Sequence, residues 1–229
     1  MMKNSRPVFS NQKKIHPNLE KLLKRHCESP FQKSILEYNR RAFDSALEQW
    51  QKFSKKAPLI LDSVCGTAES TVFWARQNPQ CFVLGVEKSQ SRLNRQNSFK
   101  ENLPQNCAFV RADVVDFWRL LASHLAENGI FLQRHFLLYP NPYPKSLQLQ
   151  RRFHGHSVFP FLKMLGGILE CRTNWRVYAQ EFAFACQFLG AKSVAFENFV
   201  PEFPVSAFER KYFQSGHLLW RCVADFSKK

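Results

Sequence analysis

From Pro58 onward the chain alternates short, continuous apolar runs with amphipathic stretches. The runs "PLILD" (58–62), "CFVLGVE" (81–87), "CAFVRAD" (107–113) and "FLQRHFLLYP" (131–140) read as strands. "GGILECRT" (166–173), "AKSVAFENF" (191–199) and "HLLWRCVADF" (217–226) bring the number to seven. Between them, helices are expected over 69–79, 88–100, 114–127, near 157–164 and over 175–189, with a loop after 199. Strands alternating with helices predict an α/β fold with a mainly parallel seven-stranded sheet covered on both faces. Ahead of Pro58 lie helical patterns at 17–27 and 32–53, where Ile35, Tyr38, Ala42, Ala46 and Trp50 recur at three to four. Residues 1–16 read as a flexible basic arm. The expected organisation is thus an N-terminal arm and helical extension over 1–57 and one domain over 58–229.

Charge changes this picture. The net charge is +15, and residues 1–57 hold thirteen Lys/Arg against five Asp/Glu, contributing +8. Such an excess suits a polyanionic partner, with Lys3, Arg6, Lys13 and Lys14 in the arm available to phosphates or merely solvated. The seven cysteines are scattered without a C-x-x-C pair, which argues against a zinc site or a disulfide framework and suits a reducing cytoplasm. The N-terminus has no apolar core of the kind a secretory signal needs, and no uncharged apolar run approaches a membrane span.

In sheets of this kind ligands bind at the carboxyl ends of the strands. Those ends carry Asp62, Glu87, Asp113, Asn141 and Thr173–Asn174. Asp62 opens "DSVCGTA", which keeps Asp62 and Gly66 of a D-x-G-x-G-x-G loop but has Val64 and Ala68 at the other two glycine positions. Cys65 and Gly66 form the loop tip. Glu87 follows at a distance that lets it accept from both hydroxyls of a ribose, and Asp113 could accept from an adenine amino group. One acid at a strand end is an ordinary helix cap; three in register point to an adenosine site. After the fourth run, "YPNPYPK" (139–145) sets Asn141 and Tyr143 between prolines that fix the backbone, ahead of Lys145, Arg151 and Arg152.

These stretches resemble the bacterial tRNA (guanine-N7-)-methyltransferase family, a branch of the class I S-adenosyl-L-methionine-dependent methyltransferases with a Rossmann-like fold. The match rests on "LDSVCGTAEST" with "LGVE", on "RAD" (111–113), and on "PNPYPKSLQLQRR" (140–152), similar without gaps to P-D-P-W-x-K-x(5)-R-R. It continues in "TNW" (173–175) for T-D-W and "SAFERKYFQSGHLLW" (206–220) for T-x-F-E-x(6)-G-H-x-x-W, covering about residues 58–226. Asn141, Asn174 and Ser206 replace the family's Asp, Asp and Thr, so the resemblance is to a diverged member.

The resemblance implies methyl transfer from S-adenosyl-L-methionine to tRNA. Asp62, Cys65, Gly66, Glu87, Asp113 and Asn141 would hold the cofactor. Asn141 and Glu209 would grip the guanine edge, Tyr143 would stack on a base, and Lys145, Arg151, Arg152, Asn174 and Ser206 would complete the substrate side. From the residues alone, Glu209 could equally pair with Arg210 or Lys211, and His154 and His156 read as surface or phosphate contacts rather than metal ligands. Two other readings stay open: N-P-Y is similar to the N-P-P-Y loop of amino-group methyltransferases, and a Val64-blocked cofactor loop would leave an RNA-binding module.

Overall fold

The computed structural model describes residues 5–29, 31–95 and 102–227; residues 1–4 of the expected arm and 96–100 of the expected second helix lie outside the described residues. Among the described residues, the strands are β1 (Leu59–Ser63), β2 (Phe82–Glu87), β3 (Cys107–Arg111), β4 (Arg134–Leu138), β5 (Ile168–Thr173), β6 (Val194–Phe199) and β7 (Leu219–Asp225). They form one sheet in the order β3-β2-β1-β4-β5-β7-β6. The first five run parallel, and β7 lies antiparallel to both β5 and β6. β1 and β2 expose no residue, as expected of inner parallel strands buried on both faces. At the edge, β6 alternates exposed and half-buried positions, and its Glu197 pairs with Arg221 of β7.

The helices are α1 (Leu19–Glu28), α2 (Glu37–Phe53), α3 (Glu69–Gln77), α4 (Gln90–Leu93), α5 (Val114–Glu127), α6 (Phe161–Leu165), α7 (Arg176–Phe188) and α8 (Ala207–Gln214). The periodicity of the N-terminal helices is satisfied inside the main core. Leu19, Leu23, Phe43, Ala46 and Trp50 are buried in the same cluster as Leu61, Phe117 and Phe182. Phe43 meets Phe117 edge to face at 5.4 Å, and Trp50 Nε1 donates to the Ala57 carbonyl at 3.0 Å. Asn39 ties α2 to α5, donating to Asp116 Oδ2 at 2.6 Å and accepting the Asp113 N–H at 2.8 Å.

Four segments differ from the sequence reading. The fourth strand is shorter than 131–140 because Tyr139 takes a left-handed conformation (φ 52°) that ends it. The stretch before α6 coils into 3₁₀ turns at Ser146–Arg151 and Phe153–Gly155. Gly155 is required there, since a Cβ would collide with the Leu149 carbonyl. The segment after β6, expected as a loop, contains α8: Ser206 caps it by accepting the Glu209 N–H at 3.2 Å. Residues 5–16, read as flexible, run as a strap over the body, with the Ser10 hydroxyl donating to the Pro144 carbonyl at 2.6 Å and Gln12 donating to Glu181 at 2.6 Å.

Candidate active site

The loop after β1 keeps the shape a glycine-rich sequence would give it. Val64 (φ 55°), Gly66 (φ 62°) and Ala68 (φ 61°) all lie in the left-handed region, so the two substituted positions hold a conformation costing about 1–2 kcal/mol for a residue with a Cβ. Sheet contacts over-determine it. The Cys65 N–H donates to the Val86 carbonyl at 3.1 Å, and the Gly66 N–H donates to Glu87 Oε2 at 3.1 Å. Gly85 lets α3 approach, because a Cβ there would sit 2.5 Å from Thr71 Oγ1.

Asp62 lies beneath this loop, fully buried. Its Oδ2 accepts from Ser70 at 2.6 Å and Thr71 at 2.7 Å, while Oδ1 has no partner among the described residues. Burial pushes its carboxyl up to about 6, against the pull of the two hydroxyl donors. Glu87 is also buried; besides Gly66 it accepts the Ser89 N–H at 2.8 Å and faces Arg92 Nη1 at 3.5 Å. Asp113 caps α5 by accepting the Val115 N–H at 3.0 Å and pairs with Lys88 at 2.8 Å. Of the three strand-end acids, Asp113 is the one that lines the cleft directly.

That cleft, of about 540 Å³, opens at the carboxyl ends of β1 to β4. It is lined by Val64, Lys88, Arg92 and Asp113, by residues 139–143, and by Phe208 and Tyr212 of α8. The mouth "YPNPY" is bracketed by two left-handed tyrosines, Tyr139 (φ 52°) and Tyr143 (φ 43°). With Val64 and Ala68 these are the non-glycine residues of positive φ among those described, and Val64, Tyr139 and Tyr143 all line the cleft. Strained backbone of this kind persists where function requires a fixed shape. Asn141 stands exposed between the prolines, its Oδ1 3.4 Å from the Tyr143 N–H. Arg151 reaches the cleft wall, whereas Lys145 lines the next groove along.

Other expected substrate residues sit elsewhere. Arg152 is wholly buried over the Trp175 ring, paired to Glu181 at 2.6 Å and donating to the Tyr143 carbonyl at 3.1 Å and to Gln12 at 3.0 Å. It is withheld from any phosphate and instead clamps the mouth. His154, expected at the surface, is buried against the same Glu181 at 2.8 Å; burial lowers its pKa, so it serves as a neutral donor. Burial alone would raise the Glu181 carboxyl, but the His154 and Arg152 donors and the His16 N–H bring it down to about 2.

Glu209 is buried as well. It pairs not with Arg210 or Lys211 but with Arg172 at 2.9 Å, and accepts from the Tyr139 hydroxyl at 2.9 Å and the Val205 N–H at 2.8 Å. Burial raises the Tyr139 phenol, which stays a neutral donor. Asn174 donates to His217 at 3.0 Å, and Ser206 caps α8. Ser206 and Glu209 therefore position α8 and Tyr139 rather than line the cleft. The sequence reading missed Lys88, Arg92, Tyr139, Phe208 and Tyr212. The i, i+4 aromatics behind a Ser-x-x-Glu box at 206–209 were the available signal for the last two.

Known proteins resemble this chain in sequence and in fold. A family model described as "Putative methyltransferase" matches residues 56–222. A tRNA (guanine-N(7)-)-methyltransferase of Burkholderia thailandensis is 27% identical over 82% of this chain and 71% of its own. One of the same name from Cupriavidus pinatubonensis is 26% identical over 97% and 91%. Among solved structures, the 16S rRNA methyltransferase KamB superposes with a TM-score of 0.55 over 86% of this chain and 98% of its own, at 16% identity. A 16S rRNA (adenine(1408)-N(1))-methyltransferase solved with its cosubstrate superposes equally well, with a TM-score of 0.55 at 16% identity over 79% and 91%. At such identity these structures speak to the Rossmann-like fold.

Proposed function

Because this chain belongs to that methyltransferase family, we propose that its cleft methylates guanine N7 in tRNA. The cofactor is S-adenosyl-L-methionine, which supplies an electrophilic methyl group. The residues fit it. Asp62 keeps one buried oxygen with no partner among the described residues, the loop at 64–68 holds a glycine-like backbone, and Glu87 and Asp113 stand at the next two strand ends. The reading of Asp62, Cys65, Gly66, Glu87, Asp113 and Asn141 as cofactor-side residues rests on that register.

Guanine N7 has a lone pair and no proton, so the reaction needs alignment and stabilisation of a cationic product rather than a general base. This chain's part is to hold the ring. Asn141 offers an oxygen to a ring donor and an amide to O6, Tyr143 offers a face on which to stack, and Arg151 meets phosphate. Tyr139 is locked in place by Glu209, which makes Glu209 a positioning residue in this reading.

The observation that carries the proposal is the fixed mouth. Two strained tyrosines bracket Asn141, and all three line the same cleft as Val64 of the loop after β1. The test is incubation with labelled S-adenosyl-L-methionine and unmodified tRNA, followed by nucleoside mass spectrometry. N7-methylguanosine is expected, and its absence from a protein that binds cofactor would refute the guanine assignment. The carboxamide at Asn141, where the P-D-P motif that this stretch resembles has an acid, favours one second reading: orientation of an exocyclic amine. An N-methylated amino nucleoside in the same assay would establish it. We place the reaction in the cytoplasm, where tRNA resides and the seven free cysteines stay reduced.

A further inference from the structure

Next to the acceptor mouth, the N-terminal strap and the 3₁₀ segment at 146–151 enclose two grooves of about 410 and 580 Å³ that share His16, Ser146 and Leu147. A third, of about 600 Å³, runs from Lys13 and Lys14 of the strap to Arg176. Among the described residues, no carboxylate lines any of the three, whereas Lys13, Lys14, Lys21, Arg25, Lys145 and Arg176 do. Two large exposed apolar side chains line these grooves: Phe9, at 85% exposure, in the groove of about 580 Å³, and Leu147, fully exposed, in that groove and the one of about 410 Å³. Solitary exposed apolar residues are common, but an exposed aromatic in a groove lined by cations is the composition that stacks a base and follows a phosphate backbone.

The track is also preformed. Glu181 Oε1 accepts from Gln12 at 2.6 Å and from the His16 N–H at 2.9 Å. The same carboxylate holds Arg152, which reaches back to the carbonyls of Tyr143 and Lys145. Through one buried acid, strap and mouth become a single body. His16 Nε2 and the Ser146 hydroxyl close the wall between the first two grooves at 2.8 Å.

We infer that the strap and residues 144–150 form a docking track for a single-stranded stretch of the substrate RNA beside the methylated nucleotide, with Phe9 as a stacking platform and Leu147 as an apolar contact in the same groove. Resting on the RNA-methyltransferase reading above, this names the surface that recognises the substrate outside the cleft. Charge complementarity selects the occupant, since an acid-free, lysine-rich groove on a chain of net charge +15 calls for a polyanion.

The test uses the full-length chain with Phe9→Ala and Leu147→Ser, which remove no buried surface, and Lys145→Ala. Binding to unmodified tRNA should weaken about tenfold for Phe9→Ala and by a smaller factor for Leu147→Ser. For Lys145→Ala the slope of log K against log salt should fall by about 1. The KM for tRNA should rise while the affinity for S-adenosyl-L-methionine stays unchanged. If wild type binds and methylates tRNA and all three variants match it, the track is overturned and the methyltransferase reading stands. If wild type binds tRNA without methylating it and the variants weaken, the track stands and the guanine proposal fails. No RNA binding by wild type overturns both. Equal, variant-sensitive binding of poly-glutamate would overturn RNA as the occupant.

Discussion

Asp62 should make this fold less stable as pH rises from about 4 to 6, the reverse of the usual behaviour of a carboxylate. The perturbation is Asp62→Asn. In the wild type the side chain is fully buried, Oδ2 takes two hydroxyl donors, and Oδ1 takes none. Desolvation dominates and raises the carboxyl from 3.8 to about 6. The native state then holds a proton that the unfolded chain has released, so the stabilisation is whole below the unfolded pKa and is lost through the folded one. A gap of about two units corresponds to about 3 kcal/mol.

Asparagine cannot titrate, so the stability difference between variant and wild type should move by about 3 kcal/mol toward the variant between pH 3.5 and 7. Any constant offset from an unpartnered Nδ2 cancels in that comparison. Urea unfolding followed by circular dichroism at several pH values reads it directly. Glu181 works in the opposite direction, losing stability as pH falls from 4.5 through about 2, but it is common to both proteins and drops out. A difference that stays flat with pH would refute the reasoning and mean that Oδ1 is solvated.

Arg152→Ala should destabilise the protein by about 3–5 kcal/mol, because it strands a buried Glu181, whereas a phosphate contact would lose RNA affinity with stability intact; thermal melts beside tRNA binding separate the two. Gly85→Ala should cost about 1–3 kcal/mol by driving a Cβ into Thr71, the donor to Asp62, measured by chemical denaturation. Val64→Gly should leave stability within about 1 kcal/mol, as relief of the left-handed strain offsets the added chain entropy. It should also tighten S-adenosyl-L-methionine binding by opening the cleft wall; calorimetry showing weaker binding would mean that the valine packs on the cofactor. Asn141→Asp should keep or raise N7-methylguanosine formation, by up to about tenfold, since a carboxylate takes both donors of the guanine edge. A loss of activity on the true substrate would favour the exocyclic-amine reading.

The strands and their order along the chain were legible because inner parallel strands must be apolar on both faces, and runs such as Leu59–Ser63 and Phe82–Glu87 meet that need with no exposed residue. The strand-end acids were legible for the same reason, since a charge closing such a run has few other uses. What escaped was carried by partners remote in sequence. Arg152 and His154 look like surface residues until Glu181, from α7, is brought to them. Glu209 looks like half of a local pair until Arg172 of β5 takes it. α8 was hidden because its aromatics face a cleft, not the main core, leaving a pattern that looked polar. The missing glycines at 64 and 68 suggested a changed loop, yet the backbone holds the glycine conformation at both.

Those remote partners explain how the strained mouth is kept. Tyr139 and Tyr143 each occupy a conformation that costs about 1–2 kcal/mol for a residue with a side chain, and neither would stay there unaided. Each is fastened to a buried carboxylate–arginine pair. Tyr139 donates its hydroxyl to Glu209, which is held by Arg172, itself paired with Glu170 at 2.7 Å. Tyr143 gives its carbonyl to Arg152, which is held by Glu181. A buried pair adds little net stability over an apolar substitute, but it fixes direction, because an unpaired partner left in the core costs several kcal/mol. The two pairs draw on different elements, β5 with α8 for one and α7 with the strap for the other. Asn141 is thus held between two fixed points while remaining exposed itself, which is what the acceptor-facing role we propose for it requires, since that role is alignment rather than proton transfer.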